Sequence, residues 1–113
     1  MRRGTTPDYL LSIPGYDLSE CKVYVTVQQY ANAITLTGDR LEIDVQDDTT
    51  SISFRLTQAE TLQFKSGNAE VQVRFIDSEG TAQATDIGRI DIMPILYEDV
   101  IEYGNTTNSG NIF

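Results

Sequence analysis

Few side chains in this sequence are equipped for chemistry. The densest group is acidic: Asp44, Asp47 and Asp48 lie close together, with Glu42 on the same predicted strand. Alternate residues of a strand share a face, so Glu42 and Asp44 can bring their carboxylates together. Paired carboxylates serve glycoside hydrolysis when a substrate cleft runs between them, but the chain has no Trp to build a sugar platform. Asp44, Asp47 and Asp48 also suggest a loose calcium site, although the glycine and ligand spacing of a calcium loop are missing. The plainer reading is the solvated face of a half-buried strand, because charged and apolar residues alternate there.

There is no histidine, which removes the commonest general base, proton shuttle and metal ligand. Triads and Cys–His dyads go with it. The only lysines are Lys22 and Lys65, thin material for a Ser–Lys dyad. No Gly-rich phosphate loop and no zinc spacing occur. Cys21 is the single cysteine, so no internal disulfide can form. It reads as a small core residue, because a thiol without a histidine partner is a poor nucleophile. Asn105-Thr106-Thr107 matches a glycosylation sequon, a pattern common by chance, and no secretory signal accompanies it. The expectation is a protein that is not an enzyme, with no catalytic residue, metal or cofactor.

The chain has 113 residues, enough for one domain with a core that needs no disulfide or metal staple. Asp and Glu outnumber Lys and Arg by 17 to 8. Such a surface repels phosphate backbones and anionic lipid, so nucleic acid and membranes are not expected partners. No stretch approaches a membrane span, and the N-terminus lacks the apolar core of a signal peptide. Synthesis in the cytosol without Sec-type export is the expectation.

Period-two alternation dominates the chain, the mark of strands with one buried face. Tyr9, Leu11 and Ile13 alternate until Pro14-Gly15. Val23, Val25 and Val27 form the clearest strand, followed by Ile34 and Leu36, which Gly38-Asp39 closes. Leu41, Ile43 and Val45 alternate up to the turn at Asp47-Asp48, and Ile52, Phe54 and Leu56 follow. Val71, Val73 and Phe75 lead to the turn Asp77-Ser78-Glu79-Gly80, and Ile90 and Ile92 precede the ladder-ending Pro94. Thr57-Gln58-Ala59-Glu60 has the form of a capping box. It predicts one short helical turn near 57–63, with Leu62 and Phe64 plugging an end of the core and Gly67 closing the turn. About seven short strands with turns between them predict an all-β, Ig-like antiparallel sandwich.

The sandwich is expected over residues 8–96, with an N-terminal arm at 1–7 and a C-terminal tail at 97–113 that orders on assembly. The polar run Gly104 to Asn111, before Ile112-Phe113, cannot bury enough surface to fold alone. Tyr24, Tyr30, Tyr97 and Tyr103 fall on outward or tail positions. Tyrosine suits interfaces because it joins apolar area to a polar tip, and it equally suits cross-strand packing on an exposed face. The basic cluster of Arg2 and Arg3 is either a solvated terminus or an arm for an acidic neighbour, such as a second copy. The interface residues expected are Arg2, Arg3, Tyr97, Tyr103, Ile112 and Phe113.

The opening Met1-Arg2-Arg3-Gly4-Thr5-Thr6-Pro7 resembles a family of small proteins encoded among the structural genes of tailed bacteriophages and prophages. The likeness continues through Asp17-Leu18-Ser19 and Val23-Tyr24-Val25-Thr26. It is strongest at Leu56-Thr57-Gln58-Ala59-Glu60-Thr61-Leu62 with Phe64, and Val71-Gln72-Val73-Arg74, Ile95-Leu96 and Val100-Ile101 also fit. These motifs are structural and transfer no active site. The resemblance implies a virion component of tail, baseplate, neck or head, made in the bacterial host cytoplasm and similar in style to phage baseplate N-terminal sandwich domains. Its expected partners are other copies of itself and neighbouring virion proteins, in a symmetric oligomer. The alternative is a carbohydrate- or host-receptor-binding module of the adsorption apparatus.

Overall fold

The computed structural model describes residues 1–103, and the structural statements here concern those residues. The alternating segments form the strands β1 (Asp8–Pro14), β2 (Lys22–Gln29), β3 (Asn32–Thr37), β4 (Glu42–Gln46) and β5 (Thr49–Arg55). The helical turn α1 (Gln58–Leu62) follows, then β6 (Gly67–Ile76), β7 (Ala82–Ala84) and β8 (Gly88–Ile92). All strand pairs are antiparallel. One sheet has the order β1-β5-β4. The other runs β3-β2-β6, with β7 and β8 both pairing along the far side of β6. A further 3-10 turn, Gly38–Arg40, leads into β4.

This order is that of an immunoglobulin-like sandwich. An Ig domain places strands A, B, E and D on one sheet and C′, C, F and G on the other. Here β1 to β6 take the places B, C, C′, D, E and F in chain order, and β7 with β8 share the place of G. Among the described residues no strand stands in the place of A. The arm instead makes a parallel bridge between Arg2 and Met93, just beyond β8.

Local chemistry sets the turns. Asp47 and Asp48 both adopt positive φ, at 51° and 60°, the conformation of a two-residue hairpin loop between β4 and β5. Asp tolerates it better than most side chains. Gly80, with φ of 87°, closes the turn after β6. There the Asp77 carboxylate accepts from the amides of Glu79 and Thr81, both at 2.9 Å.

The core lies between the sheets. Ile13, Ile52 and Phe54 from one sheet join Val23, Val25, Val27, Leu36, Val73 and Phe75 from the other in a single buried cluster. Two buried polar residues fasten loops to it. The Thr50 hydroxyl accepts from Leu18 N at 3.0 Å and donates to Tyr16 O at 2.7 Å. The Gln29 amide group accepts from Lys65 N at 2.7 Å and donates to Lys65 O at 2.8 Å. A buried polar group is tolerated when it is hydrogen-bonded in this way.

The structure corrects three placements. Ile43 is 39% exposed, because β4 is an edge strand and its inward side overhangs the core. Cys21 is only half-buried, packed against the rim of the cluster, because it sits on the loop entering β2. Of the expected plug, Phe64 is completely buried while Leu62 is half-buried, since the last turn of α1 points one side chain under the sheets and the other toward the arm. Phe64→Ala is expected to lower unfolding free energy by about 3–5 kcal/mol. Cys21→Ala is expected to lower it by less than about 1 kcal/mol. Urea denaturation of both variants measures the difference.

Candidate docking site at the chain ends

The acidic residues do not converge. Glu42, Asp44, Asp47 and Asp48 are all exposed along β4 and its hairpin. Asp44 accepts from Gln46 Nε2 at 3.2 Å, a neighbour on its own strand. Among the described residues no group of three or more acidic or thiol side chains is placed to hold a metal ion. The Cys21 thiol is pushed up by burial and then by the carboxylates of Asp77, Asp17 and Glu20, so it stays protonated and a poor nucleophile.

What the sequence builds with more care is the end of the sandwich around α1. The capping box forms as expected: Thr57 Oγ1 accepts from Glu60 N at 3.1 Å, and the Glu60 carboxylate accepts from Thr57 N at 2.8 Å. Arg40 donates to both Glu60 oxygens, at 2.7 and 3.1 Å, and to Arg55 O at 3.1 Å. Burial pushes the Glu60 carboxyl up, but the Arg40 guanidinium and the Thr57 amide outweigh it and hold the group below the usual carboxylate range.

The opposite end of α1 is closed by the arm. Arg3 donates to Phe64 O through Nε and to Leu62 O, at 3.0 Å, through a terminal nitrogen. These are carbonyls left over where a helix stops. The same guanidinium grips both oxygens of Glu98, at 2.8 and 2.6 Å. Arg2 donates to Pro94 O at 2.8 Å. Thr61 Oγ1 donates to Thr5 O at 3.0 Å, and Leu56 N donates to Pro7 O at 3.1 Å. Gly4 takes a positive φ of 74°, and a Cβ there would meet Leu62 at 3.4 Å. Arg2 and Arg3 are therefore engaged by their own domain, because uncapped carbonyls and Glu98 lie within their reach.

Arg3 also fixes the beginning of the tail. Beyond Glu98, Gln58 donates to Ile101 O at 3.0 Å and accepts from Ile101 N at 2.8 Å. Residues 96–103 thus form a strap held at two points. Its apolar side chains nevertheless face water: Leu96 and Tyr103 are fully exposed, Tyr97 and Ile101 largely so, and Val100 about half. Tyr97 and Tyr103 are where the sequence places interface residues; Ile112 and Phe113 lie outside the described residues. Sequence reading missed Leu96, Val100 and Ile101 as surface groups, and Gln58 and Glu98 as anchors. The available signal was the pair of apolar runs after Pro94, which have no strand left to join.

No protein-family model matches the chain, and no curated protein matches it. Among solved structures it is similar to a mutant of the SrpA adhesin from Streptococcus sanguinis, with 11% identity and a TM-score of 0.41 over 82% of this chain and 53% of that one. It is also similar to murine CRIg, with 10% identity and a TM-score of 0.37 over 85% of this chain and 90% of that one. The chain spans about half the length of the adhesin structure. Likenesses this distant carry nothing about function.

The Glu60 carboxylate gives a pH signature. Its folded pKa lies below the ordinary 4.5, so its contribution is complete above that value and is lost as pH falls through the folded pKa. Glu60→Gln keeps a capping side chain but loses the charge. It is expected to cost about 1 kcal/mol at neutral pH, with the gap to the parent protein closing in acid. Urea titrations at neutral and acidic pH check this.

Proposed function

We propose that the chain is a non-enzymatic assembly module: a structural protein of a tailed-bacteriophage particle that docks on neighbouring virion proteins and on its own copies. The observation that carries this is the strap. Exposed apolar side chains that follow one another on a tethered segment are characteristic of interaction sites. Holding the segment in place beforehand reduces the ordering cost of binding. Beyond Glu98, which Arg3 holds, the acidic residues Asp99 and Glu102 punctuate it, so the fitting seat is apolar with a basic rim.

The resemblance of the sequence to phage structural proteins supports the same reading. The absence of histidine from the sequence and the spread of the carboxylates favour assembly over turnover.

Leu96 and Tyr103 make the test clean, because their full exposure means that replacing them leaves the domain intact. The double variant Leu96→Asp/Tyr103→Asp is expected to unfold within about 0.5 kcal/mol of the parent. It is also expected to fail to enter particles when it complements a deletion of its own gene. Incorporation at the parental level would refute the strap as the docking element.

A further inference from the structure

Among the described residues no strand stands in the place of A, so β1 is an open edge. We infer that this edge is a self-association site: β1 of one copy pairs antiparallel with β1 of a second copy about a two-fold axis, joining two three-stranded sheets into one of six strands. The inference deepens the assembly reading by naming how copies meet. It uses none of the strap residues, so the two can fail separately.

The backbone defines which groups are free. Pro7 O accepts from Leu56 N, on the β5 side. Along a strand the amide and carbonyl of alternate residues point the same way. Tyr9, Leu11 and Ile13 therefore bond toward β5, while Asp8, Leu10 and Ser12 turn theirs to the open side. Among the described residues β1 pairs with β5 alone. Unpaired edges of this kind add strands readily unless they are guarded.

The side chains say which edge is meant for pairing. Leu10 is 68% exposed on the outer face. The inward residues Tyr9 and Leu11 are only half-buried. Beside them an open groove of about 240 Å³ runs between Leu11 and Ile13 on one sheet and Val71 and Val73 on the other. The remaining edges offer less. Pairing β4 about a two-fold would bring Glu42 and Asp44 of both copies together, like charges that repel. The inward residues of β3, Ile34 and Leu36, are already buried. The β7–β8 edge is interrupted between the two strands and closed at its end by the Arg2–Met93 bridge.

The register follows from the sequence. Only Asp8, Leu10 and Ser12 can face one another across the edge, and Pro14, next on that side, has no N–H to give. Centring the axis on Leu10 sets Leu10 against Leu10, Tyr9 against Leu11, and Asp8 against Ser12. It leaves Pro14 outside the ladder and no like charges opposite. Asp8 is already neutralised by Arg55, which donates to both its oxygens at 2.7 and 2.9 Å. A slip to an axis on Leu11 pairs Asp8 with Pro14 and loses a bond. An axis on Tyr9 sets the polar Asp8–Arg55 pair against the apolar Leu10. The contact is thus complementary in charge, in hydrogen bonding and in apolar surface at one register.

Sedimentation and disulfide trapping test this on the full chain. The parent is expected to sediment as a dimer. Leu10→Glu, which sets two carboxylates on the axis, is expected to be monomeric with an unchanged circular dichroism spectrum. In a Cys21→Ala background, Leu10→Cys is expected to form an inter-chain disulfide on mild oxidation, because paired antiparallel residues sit about 5.5 Å apart, within disulfide range. Ser12→Cys, facing Asp8 of the other copy, is expected not to crosslink. The dimer should survive Leu96→Asp/Tyr103→Asp. A parent that stays monomeric at its highest soluble concentration overturns the proposal. So does equal crosslinking of the two cysteine variants, or a dimer that dissolves on changing the strap but not Leu10.

Discussion

The arrangement of the N-terminal arm and of residues 96–103 depends on one guanidinium. Arg3, with a side chain 14% exposed, meets the carbonyls of Leu62 and Phe64 and the carboxylate of Glu98 together. Each of these acceptors would lose a charge-assisted bond without it. Because Phe64 plugs the core, the same contact joins the arm, the helical turn and the strap at residues 96–103 to the hydrophobic interior. The strap at residues 96–103 is therefore an extension of the core packing, though its own apolar side chains lie in water.

Arg40 does the complementary job on the other side of α1. It holds Glu60, which holds Thr57, which caps the turn. An isolated helix of five residues would not form in water. Here it persists because two arginines from distant parts of the chain satisfy its two ends and Phe64 anchors it. That accounts for how so short an element can set the geometry of one end of the sandwich.

The fold was largely legible in the sequence because burial on one face of a strand writes itself as alternation. Val23, Val25 and Val27 read inward and lie inward, and Thr57-x-x-Glu60 read as a capping box and forms one. What alternation cannot convey is which strand ends up at an edge. Ile43 carries the same signal as Ile52, yet among the described residues β4 has no neighbour beyond it and Ile43 reaches water. Nor does a pattern of neighbours in sequence reveal that Arg3 reaches Glu98, or that Gln58 holds Ile101. These are contacts between residues far apart in the chain. The strap was legible only as apolar residues left over once the strands had been counted. The unoccupied place beside β1 was not legible at all, since it appears only when the strand order is known.

Residues 96–103 are held by the domain through Arg3–Glu98 and Gln58–Ile101 while their apolar side chains stay in water, and amide hydrogen exchange reads whether that tether exists. Arg3→Ala is expected to abolish protection of the Ile101 amide while the amides of β2 and β6 exchange as in the parent protein. An Ile101 amide equally protected in the variant, or unprotected in the parent, would contradict it.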